Sequence, residues 1–96
     1  MPDLTLALPT EFIGSFIFIA VIMQFAGKDW GAFAIGLALA GVVLFGGAMS
    51  GGHFNPAVSL AMYLSDKLDL AALVSYVVVQ CLGGGAAHML AARLGV

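Results

Sequence analysis

The charged residues of this chain fall in a few places: Asp3 and Glu11, the pair Lys28 and Asp29, the group Asp66, Lys67 and Asp69, and Arg93. The stretches between them are apolar almost without interruption. One membrane crossing takes about 20 helical residues. Residues 7–26 and 69–91 each supply one, and Pro9, followed by Thr10 and Glu11, is tolerable in a first helical turn. The stretch from Trp30 to Ser65 carries no formal charge. It is too long for one crossing and too short for two with a connection.

That middle stretch divides itself. Residues 30–49 read as a second crossing. Ser50-Gly51-Gly52-His53-Phe54-Asn55-Pro56 then cannot continue a helix, because glycine costs helix stability and proline has no N–H to donate. Ala57 to Ser65 reads as helix again. At about 1.5 Å per residue it is ~14 Å long, roughly half the hydrocarbon thickness. Residues 50–65 are therefore expected to dip into the membrane as extended backbone and return as a half-helix. Irregular backbone at that depth is tolerated only where it packs in protein or lines a wet cavity, so the break itself points to a pore or a substrate site. The expected fold is all-α and membrane-integral, with three transmembrane helices and one re-entrant half-helix, within residues 1–96 as a single unit.

Composition agrees. Apolar residues make up 62% of the chain and charged residues 8%, against about a quarter charged in a soluble domain. With three basic residues and no basic patch, nucleic acid is not an expected partner. The opening MPDLTLALPTEF lacks the basic start of a signal peptide, and no second, soluble domain is expected. Cys81, alone among apolar neighbours, reads as packing. His53 has no cysteine or acid beside it, so neither a metal nor another cofactor is expected. No nucleophile with a base, carboxylate pair or phosphate loop marks an enzyme. Gly14, Gly36, Gly41, Gly83, Gly84 and Gly85 read as close helix contacts.

Asn55 suits a helix cap and Pro56 the first helical position, which alone would explain both. Their context adds more. Ser50-Gly51-Gly52-His53-Phe54-Asn55-Pro56-Ala57-Val58-Ser59 resembles the first signature loop of the aquaporin (major intrinsic protein) family, and its bacterial water channels in particular. Thr10-Glu11-Phe12-Ile13-Gly14-Ser15-Phe16 is similar to the start of that family's first helix. Ile35-Gly36-Leu37 is similar to its second, and Tyr76, Gln80, Gly83 and Gly84 to its third. The likeness covers the first half of a family member, whose two inverted repeats carry six spans and two half-helices.

The resemblance implies a passive channel for water and small neutral solutes. Asn55, Pro56 and Ala57 would form the pore motif, with the Asn55 amide donating to a permeating oxygen. The carbonyls of Gly51, Gly52 and His53 would accept along one vestibule, and Glu11 and Gln80 would support the loop. Ordinary members carry an arginine after the second Asn-Pro-Ala, where this chain has only Val58. The resemblance then assigns the constriction to Ile35 from one chain and Val43, Gly52 and Val58 from another. Half-helix ends with unpaired N–H groups and partial positive charge would repel cations and protons.

Three spans put the termini on opposite faces. Lys67 then lies on the face of the N-terminus, and Lys28 and Arg93 on the other. One basic residue against two is almost no positive-inside bias, so insertion both ways is expected. Two antiparallel copies would recreate the inverted repeat, and the family resemblance implies four such pores, eight chains, in lipid. Two other readings stand beside this one. Glu11, as an intramembrane acid, could be the proton or substrate site of a small dual-topology exporter, or the chain could be a non-conducting scaffold. A heteromer with a complementary half is the remaining arrangement.

Overall fold

The computed structural model describes residues 1–96 and contains four helices: α1 (Leu4–Phe25), α2 (Gly31–Ser50), α3 (Pro56–Leu64) and α4 (Leu70–Leu94). Three of them, α1, α2 and α4, are long and apolar enough to cross a membrane, with mean hydropathies of 2.0, 2.2 and 1.7. The molecule extends 39 Å along its longest axis, close to a bilayer with its headgroups.

Each start has a local cause. Asp3 caps α1, accepting from the Thr5 N–H at 3.0 Å and the Thr5 hydroxyl at 2.6 Å. Those two bonds, the hydroxyl's first, hold its carboxyl below the ordinary carboxylate range. The cap is complete at neutral pH and is lost as acid protonates it. This cap starts α1 earlier than residue 7, so Pro9 falls inside the second turn instead of the first. There it removes one bond from the helix ladder, while the Thr10 hydroxyl donates to the Leu6 carbonyl at 2.7 Å. Asp69 caps α4 through the Ala72 N–H at 2.8 Å, and Arg93 in its last turn suits the negative helix end.

α1 lies between α2 and α4, which flank it without packing together along their lengths, and α3 rests on α4. The α1–α4 seam closes at Gly83. A Cβ there would sit 2.6 Å from the Phe12 carbonyl oxygen and 3.1 Å from the Phe16 nitrogen. At the rim, Ala7, Leu68, Ala72 and Tyr76 form a buried cluster. Only 18 of 96 residues are buried, so most of the apolar surface is left to lipid or further protein. Phe33, Leu37, Leu44 and Phe45 are all more than two-thirds exposed.

The glycines divide. Gly14 and Gly83 are close contacts, and Gly84 meets Ile19 at ordinary distance. Gly36, Gly41 and Gly85 face open space within the chain, contrary to the expectation for them. Gly46, which the sequence did not single out, is a close contact against Phe54 and Thr10. Cys81 is exposed on the lone chain rather than packed.

These contacts predict opposite results for two like substitutions. Gly83→Ala should destabilise by about 1–3 kcal/mol through overpacking. Gly36→Ala should be neutral or stabilise by up to ~1 kcal/mol through helix propensity. Thermal unfolding followed by circular dichroism in detergent micelles decides it. Equal effects would refute the assigned helix rotations.

Candidate functional site

The site grows from the break between α2 and α3. Gly51 ends α2 with φ at +88°, its N–H donating to the Gly47 carbonyl at 2.8 Å, and Gly52 follows at φ +68°. Two successive left-handed residues suit glycine and turn the chain into the loop. Asn55 stops it. Its Oδ1 accepts from the Ala57 N–H at 2.8 Å, and Pro56 opens α3.

Two of the loop's N–H groups turn onto one side chain. Glu11 is fully buried on α1. Its Oε2 accepts from the His53 N–H at 3.0 Å and the Ser50 hydroxyl at 2.7 Å. Its Oε1 accepts from the Phe54 N–H at 2.8 Å and the Gln80 amide at 2.8 Å. The Gly52 N–H finds the Ser50 hydroxyl at 3.1 Å. Ser59, buried on α3, ties the half-helix to this centre, with its oxygen 2.8 Å from Gln80 Nε2 and 2.9 Å from His53 Nδ1. The Tyr76 hydroxyl donates to the Ser50 carbonyl at 2.7 Å, and its ring packs on His53 with centroids 4.9 Å apart.

The loop's carbonyls behave differently. Those of Gly51, Gly52 and His53 accept no hydrogen bond within the chain. Asn55 is exposed; because its Oδ1 serves the cap, its amide nitrogen is left as a donor. The loop thus sorts its own backbone polarity: the N–H groups of Gly52, His53 and Phe54 are taken up within the chain, and the carbonyls of Gly51, Gly52 and His53 are not. A cavity of about 380 Å³ opens beside it, lined in part by Asp3, Met49, Gly51, His53, Met62 and Lys67.

Of the residues assigned to the constriction, Val43 and Gly52 are neighbours: a Cβ on Gly52 would lie 3.5 Å from the Val43 Cα and Cγ1. Val58 is half-buried in the first turn of α3. Ile35 is half-buried about 12 Å along α2 from Val43, by helical rise. A single chain does not gather these residues into one ring.

Sequence reasoning gave no separate role to Ser50, Phe54, Ser59 or Tyr76. One signal was available: Tyr76 and Gln80 stand four apart, on one face of an otherwise apolar helix. Phe54 gave none. Its ring fills the space over Gly14 and Gly46, where a Cβ on Gly14 would collide with it and one on Gly46 would approach to 2.9 Å.

Comparison with known proteins agrees with this architecture. Residues 4–94 match the family described as Major intrinsic protein. Aquaporin-4 of Mus musculus and of Homo sapiens are each 33% identical over 90 residues, covering 80% of this chain and 28% of the relative. Aquaporin PIP1-3 of Arabidopsis thaliana is 34% identical over 86 residues, covering 76% and 30%. The chain therefore spans less than a third of the length of these relatives. No solved structure matches it significantly. Its membrane-spanning helices, its signature loop and a match over nearly its whole length agree: the chain is an integral membrane protein and belongs to the major intrinsic protein family.

Proposed function

We propose that the chain forms half of a narrow passive channel for water and small neutral solutes, completed by a second copy inserted the opposite way. One observation carries this reading. The His53 and Phe54 N–H groups are bound to Glu11 and that of Gly52 to the Ser50 hydroxyl, while the carbonyls of Gly51, Gly52 and His53 and the Asn55 amide nitrogen have no partner within the chain. Such groups at membrane depth require water or a polar solute. Water can both donate to the carbonyls and accept from Asn55, whereas an ion would lose hydration it could not recover.

In this reading Asn55, Pro56 and Ala57 stand at the pore centre, and Glu11 and Gln80 hold the loop. Four full donors on a carboxylate with no exposed surface argue against Glu11 as an exporter's substrate site. Each pore has two symmetric constrictions, built of Ile35 from one copy and Val43, Gly52 and Val58 from the other. Four pores, eight chains, assemble in the lipid. The weak charge bias of Lys67 against Lys28 and Arg93 allows both orientations.

Three measurements test the reading. The first is topology: a C-terminal tag should be reachable from both sides of the membrane in cells. One orientation in an active preparation of this chain alone would overturn the antiparallel pair, and conduction only with another chain present would favour a complementary half. The second is selectivity, followed by stopped-flow light scattering of liposomes with an internal pH dye. Wild type should pass water, and glycerol or ammonia more freely than a strict water channel, without passing protons, because Val58 puts no bulky cation at the constriction. Asn55→Ala should lose about 1 kcal/mol of capping and most of the water flux per assembled pore. Strict rejection of every solute would refute the constriction assignment. The third is support: Glu11→Gln replaces an acceptor oxygen with a donor facing other donors. It should cost about 1.5–3 kcal/mol and reduce flux per pore, where wild-type flux would exclude the supporting role.

A further inference from the structure

The peptide groups from Ser50 to Phe54 form a graded series. In the last three, Gly51–Gly52, Gly52–His53 and His53–Phe54, the N–H is held by Ser50 Oγ or by Glu11 and the carbonyl is unpaired. The Ser50–Gly51 group differs, being held at both ends. Its N–H donates to the Gly47 carbonyl at 2.8 Å, and its carbonyl accepts from the Tyr76 hydroxyl at 2.7 Å. Tyr76 is fully buried on α4, with its ring against His53 and within the rim cluster of Ala7, Leu68 and Ala72. Packing therefore fixes the ring, and the hydroxyl has one task left.

We propose that Tyr76 is the positioning residue that sets where the pore's acceptor track begins. The proposal rests on the channel reading above. By occupying the Ser50 carbonyl it removes that oxygen from the track, so the first carbonyl offered to a permeant is that of Gly51. It also locks the peptide plane before two left-handed glycines, the softest part of the loop. Without the hydroxyl, the Ser50 carbonyl is a buried acceptor that must recruit water. A water held there adds a stationary member to the file. It also extends the track by one acceptor, which favours a polyhydroxyl solute over water.

Tyr76→Phe keeps the ring and removes only the donor. Against wild type in liposomes, normalised to assembled pores, water flux should fall about five-fold, the equivalent of one neutral hydrogen bond, and the glycerol-to-water ratio should rise. Ala87→Val, a buried site towards the far end of α4, is the control for mere destabilisation. It should lower the amount assembled and leave both per-pore quantities unchanged. Unchanged flux and ratio in Tyr76→Phe would overturn the inference, whereas a wild type that passes no water would overturn the channel reading instead. A second measurement needs no variant. With single carbonyl isotope labels in the wild-type chain, the infrared amide band of Ser50 should report a dry, hydrogen-bonded group. Those of Gly51 and Gly52 should report hydrated ones. A hydrated Ser50 band would overturn the inference whatever the variant does.

Discussion

The Glu11 carboxylate is the constraint on which the rest of this structure depends. A helix that breaks at membrane depth exposes backbone N–H and C=O groups that lipid cannot satisfy. A buried carboxylate is as unfavourable there unless donors surround it. The two liabilities cancel. Glu11 takes the His53 and Phe54 N–H groups together with the Ser50 hydroxyl and the Gln80 amide. Residues from α1, α2, the loop and α4 therefore converge on two oxygen atoms. Hydrogen bonds to a charged group are among the stronger ones available, so the loop is fixed by few contacts despite its lack of regular structure.

Convergence on the donor side leaves the acceptor side open. A peptide group whose N–H points at Glu11 must direct its carbonyl the other way, so the buried carboxylate orients the carbonyls of Gly52 and His53, and the Ser50 hydroxyl that Glu11 holds orients that of Gly51. Glycine at 51 and 52 permits the backbone to take that path, and Asn55 ends it by capping α3 with one amide atom while keeping the other free. The polarity we read as a permeation path thus follows from how the loop is held, and needs no further polar side chain at the constriction.

Much of this was legible in the sequence, because charge placement marks spans and Gly-Gly followed by Asn-Pro marks a broken helix with a cap. The start of α1 was misread by a few residues, since the Asp3–Thr5 cap outweighs the presence of Pro9. The facing of the glycines was not legible. Each span is apolar almost all round, so no polar stripe reports which side turns inward. Gly36 and Gly83 look alike in sequence, yet one meets nothing and the other meets the Phe12 carbonyl. The hydroxyl of Ser59 was hidden for a related reason. A serine hydroxyl can bond its own helix backbone, and only tertiary geometry shows that this one meets Gln80 and His53 instead.

Phe54 links this geometry to the helix packing. It holds φ at +52°, a left-handed conformation that costs a non-glycine residue about 1–2 kcal/mol. Burial of its ring, only 3% exposed, offsets that by a similar or larger amount. The ring can enter because Gly14 on α1 and Gly46 on α2 leave room for it. In consecutive residues, then, one side chain is driven into the α1–α2 seam and the next, Asn55, is presented outward. A larger residue at either glycine would meet the ring and work against the left-handed turn that Phe54 makes before Asn55. The seam and the carboxylate therefore meet in one residue of the loop: Glu11 holds the Phe54 N–H, and the α1–α2 seam holds its ring.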